Sequence, residues 1–189
     1  MLNSKHVVLV NDQDEILGTA DKLAVHDLDT PLHRGVSVFI FNTKRQLLLQ
    51  RRHPSKKTWP NFWSNSFCGH PQFDETYEQA AFRHAQFELG LKLGELSFIS
   101  DYRYKFMHNN IVENEICPIY FTISDQLMLP NFKEISETKW IEWTEFLYST
   151  TTKPEIFTPW CIEEARILQE SDIFKQYFPE LTDYVASLV

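Results

Sequence analysis

Cys68-Gly-His-Pro-Gln-Phe-Asp-Glu-Thr-Tyr-Glu-Gln-Ala-Ala-Phe-Arg-His-Ala-Gln-Phe-Glu-Leu-Gly-Leu91 is the stretch whose reading decides the fold. It opens on the tail of a strand-like run, Ser64–His70, that carries to Gly69. A helix is predicted from about Thr76 to Leu89: Thr76 is a suitable N-cap, Gln79 completes a capping box, and Gly90 supplies the left-handed stop. On an extended backbone Cys68 and His70 point to the same face, because side chains alternate along a strand.

Outward from this stretch, β-rich runs dominate. Val7–Val10 reads as a short strand ended by the turn-rich 11–14. Gly35–Phe41 and Gln46–Arg51 read as a hairpin across 42–45, and His53–Trp63, with two prolines and three aromatics, as a loop. Leu96–Phe106, Val112–Ile123 and Thr138–Trp143 read as further strands, and the chain turns helical from about Pro159 to Phe178. The order is not strictly alternating, so the expected class is α+β or mixed α/β, a mixed sheet flanked by helices. No repeat or boundary is visible, and residues 1–189 are read as one domain.

The 189 residues carry a net charge of −8, which excludes a nucleic-acid surface, since phosphate backbones need clustered Lys and Arg. No apolar run approaches the ~20 residues that span a bilayer, and the first residues lack a signal-peptide core. Three cysteines with no CxxC pair predict a reduced, cytoplasmic protein, with Cys117 and Cys161 as buried thiols. Fifteen Phe, seven Tyr and five Trp suffice to line an apolar pocket as well as a core. Nothing in the sequence bears on oligomeric state.

Glu113 and Glu115 share a spacing of two, so an extended segment sets two carboxylates side by side. Like charges that close repel, and each is costly to bury alone; a divalent cation between them resolves both problems. His26, His33 and His70 offer imidazoles, the first two on a loop that Pro31 keeps from being one helix. Mixed nitrogen and oxygen donors suit Mn²⁺, Zn²⁺ or Fe²⁺ better than Ca²⁺. Arg51, Arg52, Lys56 and Lys57, with Lys22 upstream of His26, could hold a small diphosphate by charge-assisted hydrogen bonds.

Gly69-x5-Glu75-x7-Arg83 followed by Glu88-Leu89-Gly90-Leu91 resembles the Nudix box, G-x5-E-x7-R-E-U-x-E-E-x-G-U. His84 and Phe87 stand where two of its carboxylates belong, which speaks against hydrolysis of a phosphate bridge. Around it, Lys22–His26, Thr30–His33, Arg51-Arg52, Ser55–Pro60, Trp63–Gln72, Ile111–Pro118 and Phe157–Trp160 are similar to type I isopentenyl diphosphate isomerase, a Nudix-fold family. The resemblance implies a 1,3-allylic proton shift between isopentenyl and dimethylallyl diphosphate. It implies His26, His33, His70, Glu113 and Glu115 as ligands of Mn²⁺, Zn²⁺ or another divalent ion, and Glu88 as the contact to a diphosphate-bound Mg²⁺. It further implies Cys68 and Glu115 as the catalytic pair, Lys22, Arg52 and Lys56 at the diphosphate, and Tyr104 and Trp160 as pocket aromatics. Which of Cys68 and Glu115 gives the proton and which takes it stays open. A second Arg often follows the box Arg in this family; here the position is His84, which would remove a diphosphate contact.

Overall fold

The computed structural model describes residues 6–179. In chain order these form β1 (His6–Val10), β2 (Ile16–Asp21), the single-turn α1 (Lys22–Val25), β3 (His33–Arg34), β4 (Val36–Phe41), β5 (Gln46–Arg52), β6 (Trp63–Ser64) and β7 (Phe67–Gly69). There follow α2 (Tyr77–His84), β8 (Ser97–Ser100), β9 (Arg103–His108), β10 (Ile111–Ile116), β11 (Ile119–Ile123), β12 (Ile135–Glu142), α3 (Trp143–Thr152), α4 (Pro159–Glu170) and α5 (Asp172–Tyr177). One sheet runs β2-β1-β3-β10-β9 and the other β12-β5-β4-β11-β8, with β6 on β5 and β7 on β4. β3–β10 and β4–β11 are parallel and the other pairs antiparallel, so both sheets are mixed, as expected.

β4 is apolar at every position but Ser37 because both of its faces are buried. Phe39 and Phe41 enter one core with Leu47, Phe121, Trp143 and Phe174, beneath α3, α4 and α5. Val36, Val38 and Ile40 enter the other with Leu48, Ala80, Ala81 and Leu89, beneath α2. Among the described residues no helix is long and apolar enough to cross a membrane.

Several predicted strands prove to be two. Val112–Ile123 breaks at Cys117-Pro118 into β10 and β11, and Leu96–Phe106 breaks at Asp101-Tyr102 into β8 and β9. Each pair is shared between the sheets, and the Cys117 N–H to Tyr102 carbonyl bond (2.8 Å) ties the two crossings together. Pro118 has no N–H for a ladder, which is why the pairing changes there. Ser64–His70 likewise divides. β4 and β5 pair directly only at Phe41–Leu47 and then splay, and β6 and β7 fill the gap. Inside the wedge the Ser66 hydroxyl accepts from Ile40 N–H and donates to the Leu48 carbonyl, both at 2.7 Å, bridging the parted strands.

The capping box at Thr76 and Gln79 forms in full. The predicted helix does not stay α to Leu89: after His84 it widens into a π-turn, Ala85–Leu89, closed by Gly90 at φ +67°. Such turns are rare and tend to occur at functional sites; this one carries Glu88. Helix 159–178 is interrupted at Ser171, whose side chain caps α5. β2, α1 and α3 had no matching expectation.

Candidate active site

Five strands and loops converge on one cavity of about 700 Å³. β3 lies parallel to β10, which sets His33 opposite Glu115. Loop 26–32 is held onto β10 by Val112 N–H to the Asp27 carbonyl (2.8 Å) and the Asn114 amide to the Thr30 carbonyl (3.1 Å). The loop foreseen from Pro31 thus folds both upstream imidazoles toward the carboxylates. His70 arrives from the other sheet, just past β7.

Ligand atoms of His26, His33, His70 and Glu113 all lie within 4.8 Å of one another, and all four residues are buried. Glu115 joins them through Oε1, 3.0 Å from His70 Nε2 and 3.5 Å from His33 Nε2. His26 Nδ1 donates to the Lys22 carbonyl (2.7 Å) and His33 Nδ1 to the Pro31 carbonyl (2.9 Å). Those bonds fix the tautomers, leaving each Nε2 lone pair aimed inward, the usual preparation of a metal-binding imidazole. His26 Nε2 and Glu113 Oε2 are 3.1 Å apart but misaligned, so both, like His33 Nε2, lack a hydrogen bond. Unsatisfied buried acceptors pointing at a common centre are what a cation would satisfy.

The electrostatics agree. Burial and the Lys22 ammonium hold His70 neutral, its pKa lowered to about 3. Burial opposes ionisation of Glu115, but the adjacent His33 ring and the hydrogen bond from His70 outweigh it and keep the group well below the carboxylate range. Glu113 is lowered in the same way, with burial opposed by His26. Two carboxylates and three imidazoles fit a divalent transition-metal ion. The protein is expected to bind about one equivalent of Mn²⁺ or Zn²⁺ per chain at this cluster, and to unfold several degrees lower after strong chelation. Calorimetric titration and thermal unfolding of wild type and His33→Ala check this; identical metal binding by the two proteins would refute it.

Gly35 permits the arrangement. A Cβ there would stand 2.0 Å from Glu115 Oε2 and 3.1 Å from Cys117 Sγ. Gly69 does the same for His84, whose ring would lie 2.2 Å from an added Cβ.

Cys68 lines the cavity, its thiol 3.2 Å from Asn65 Oδ1 and 3.6 Å from Ser37 Oγ. Burial, then the nearby Glu164 carboxyl, push its pKa well up, so it stands as a thiol. Tyr104 and Trp160, also on the wall, stack with centroids 5.7 Å apart. Burial, then Glu115, keep the Tyr104 phenol protonated. Trp160 is brought in by α4, whose first turn is tied to β6 by Thr158 N–H to the Trp63 carbonyl and by the Thr158 and Ser64 hydroxyls, each at 2.9 Å.

Lys22, Arg52, Lys56 and Lys57 line the same cavity. Lys22 opens α1, and burial followed by Lys56 lowers its pKa. Arg52 donates Nε and Nη2 to Thr58 and rests over the Trp160 ring (5.3 Å), which leaves its two Nη1 hydrogens for a ligand. Lys56 is ion-paired with Glu134, so an anion arriving there competes with that carboxylate. Arg51, by contrast, pairs with Glu137 and donates to the Asn61 carbonyl, and does not line the cavity. Glu88 lines the cavity but stands outside the histidine cluster, its Oε1 2.9 Å from His84 Nδ1. His84 is buried against the His70 carbonyl (3.3 Å), so where an Arg would reach out this residue instead braces Glu88.

Sequence reasoning passed over Ser37, Asn65, Glu134 and Glu164. A signal existed for three of them. Ser37 interrupts an apolar strand, Asn65 sits in a strand-like run, and Glu164 falls on the buried stripe Trp160, Cys161, Ala165, Leu168 of α4.

A family model described as NUDIX domain matches residues 31–161. The chain is 40% identical over 186 residues to the isopentenyl-diphosphate Delta-isomerase of Klebsiella pneumoniae subsp. pneumoniae, covering 97% of each. It is 42% identical over 163 residues to the enzyme of that name from an Enterobacter species, covering 85% of this chain and 89% of the other. Among solved structures it is similar to a Deinococcus radiodurans protein (TM-score 0.69, 27% identity, 85% and 97% coverage). In fold it is similar to a MutT protein of Methanosarcina mazei (TM-score 0.60, 19% identity, 74% and 95% coverage).

Proposed function

The chain belongs to the NUDIX family and, within it, to the isopentenyl-diphosphate Delta-isomerases; from that premise we propose that the cavity performs the 1,3-allylic proton shift between isopentenyl and dimethylallyl diphosphate. One observation carries the reading: a single cavity is lined both by a thiol, a phenol and a buried carboxylate and by a group of ammonium and guanidinium ions. The substrate needs both sets, the first for its alkene and the second for its diphosphate.

An unactivated alkene is a weak base, and protonating it generates positive charge at a tertiary carbon. The site must supply an acid for one carbon and a base for the C2 proton. Cys68, on β7, and Glu115, on β10, are the two groups, each protonated or ionised in turn as the proton moves. Tyr104, held as a neutral phenol, supports Glu115. The aromatic wall of Tyr104 and Trp160 keeps water from capturing the cation and offers it π-electron density. Lys22, Arg52 and Lys56 hold the diphosphate. His26, His33, His70, Glu113 and Glu115 would hold a divalent ion, whose positive charge would fix and acidify what it binds. Glu88, braced by His84, would be the carboxylate for a Mg²⁺ that accompanies the diphosphate.

Because Lys56 and Arg52 grip the phosphates equally in ground and transition states, Lys56→Ala and Arg52→Ala are each expected to raise KM about tenfold with kcat nearly unchanged. Steady-state kinetics at saturating Mg²⁺ check this, and a fall in kcat alone would reverse the orientation of the substrate. The function itself is tested by incubation with isopentenyl diphosphate and Mg²⁺ in D₂O. Deuterium uptake with formation of the allylic isomer is expected; phosphate release without isomerisation, or no reaction at all, refutes the reading.

A further inference from the structure

Glu164 is fully buried on α4, on the same helix face as Trp160 one turn earlier. A carboxyl in an apolar core is costly, and a leucine of similar size would pack there without that penalty. Its Oε2 accepts the Ser37 hydroxyl proton at 2.7 Å, while Oε1 has no partner among the described residues. Burial drives its pKa well up, and Glu115 adds to the shift, while Oε2 is the oxygen that takes the Ser37 hydrogen.

Ser37 in turn is the cross-strand partner of Cys68. A hydroxyl has one hydrogen; with that hydrogen committed to Glu164, the Ser37 oxygen can only accept. It receives the Asn65 amide at 2.8 Å and faces the Cys68 thiol at 3.6 Å. The two hydrogens of the Asn65 amide are shared among Ser37 Oγ and the carbonyls of Val38 (3.1 Å) and Phe67 (3.0 Å), which turns its Oδ1 to the same thiol.

We propose that Glu164 is a positioning residue for the reaction: by taking the Ser37 hydroxyl proton it makes Ser37 an acceptor and, through it, orients the Cys68 thiol at the cavity wall. The effect on turnover rests on the isomerase reading; the effect on the thiol does not.

The test uses the full chain loaded with Mn²⁺, as wild type, Glu164→Gln, Glu164→Leu, Ser37→Ala and the Glu164→Leu/Ser37→Ala double variant. Kinetics with isopentenyl diphosphate, iodoacetamide alkylation of Cys68 read by peptide mass, and unfolding midpoints are measured together. Glutamine keeps a carbonyl acceptor for Ser37, so Glu164→Gln should stay within about twofold of wild type. Glu164→Leu frees the Ser37 hydroxyl to turn on the sulfur; kcat should fall about tenfold with KM unchanged, the size expected for one such bond. Alkylation should speed up at least about threefold in Glu164→Leu. The double variant should be no slower than Ser37→Ala, because one residue acts through the other. The proposal is overturned if glutamine is as damaging as leucine, if the two losses multiply, or if alkylation does not change. Should Glu164→Leu fail to fold, Ser37→Ala against Glu164→Gln decides, with loss of kcat and faster alkylation expected in the first and neither in the second. A wild type inactive on isopentenyl diphosphate refutes the isomerase reading, and the alkylation pattern then decides this inference alone.

Discussion

Cys68→Ala is expected to lower kcat by roughly 10²–10⁴-fold, the usual worth of a positioned proton-transfer group. The thiol lines the cavity beside the aromatic wall, is held by Asn65 and Ser37, and carries a proton at neutral pH. Alanine removes the group that exchanges that proton and changes little else, since the β7–β4 ladder is made by backbone. KM should therefore move little, because the diphosphate grip falls to other residues, Lys22, Arg52 and Lys56. Cys161 serves as a control. It is fully buried in the core, so alanine there should act through packing, costing about 1–2 kcal/mol of stability while kcat changes less than a few-fold. A Cys68→Ala protein that kept more than about a tenth of wild-type kcat, a loss below roughly 1.4 kcal/mol, would remove Cys68 from the reaction.

Glu115→Gln should be at least as damaging, because one side chain serves two purposes. Its Oε1 accepts from His70 and lies beside His33, and its charge persists against burial only through those bonds. A neutral amide cannot give or take the proton at the alkene and donates an N–H where an acceptor is wanted. We expect kcat to fall about a thousandfold or more, KM to change far less, and bound metal to decline. Gly35→Ala provides the companion experiment without altering any chemical group. Its added methyl would overlap Glu115 Oε2, so the carboxylate must move, and even small misplacements of such groups are expensive. Activity should drop about a hundredfold in parallel with metal content. A Gly35→Ala enzyme with normal kcat and full metal would show that Glu115 has freedom the packing denies it.

How much of this could be read in the sequence depended on whether the signal was local. The capping box at Thr76, the stop at Gly90 and the i,i+2 pairs Cys68/His70 and Glu113/Glu115 are properties of neighbouring residues, and all appear as expected. The strand breaks at Pro118 and Asp101 were hidden because the apolar pattern runs straight through them; Glu113, Glu115, Cys117, Ile119 and Phe121 share one parity across two sheets. Short β2 and α1 offered too few residues for a period to show. Residue type made the three imidazoles candidates and the family resemblance grouped them, while the register of His33 on Glu115 shows how the fold gives them a common centre. The resemblance likewise singled out Arg52 over Arg51, and the Arg51 side chain turns instead toward Glu137. Glu164 was invisible as chemistry because its partner Ser37 lies 127 positions away.

That remoteness has a bearing on how the molecule comes together and comes apart. The contacts that complete the cavity span long stretches of chain: 45 positions from His70 to Glu115, 84 from Thr30 to Asn114, 127 from Ser37 to Glu164. Closing such loops is slow, and none can be rewarded until both sheets have met. The cavity is thus complete only once both sheets have met. Whatever occupies it stabilises only the finished fold, so it retards the outward journey and leaves the inward one untouched. In a cell, the supply of metal and substrate would set how long each copy survives, with the speed at which new copies mature remaining the same.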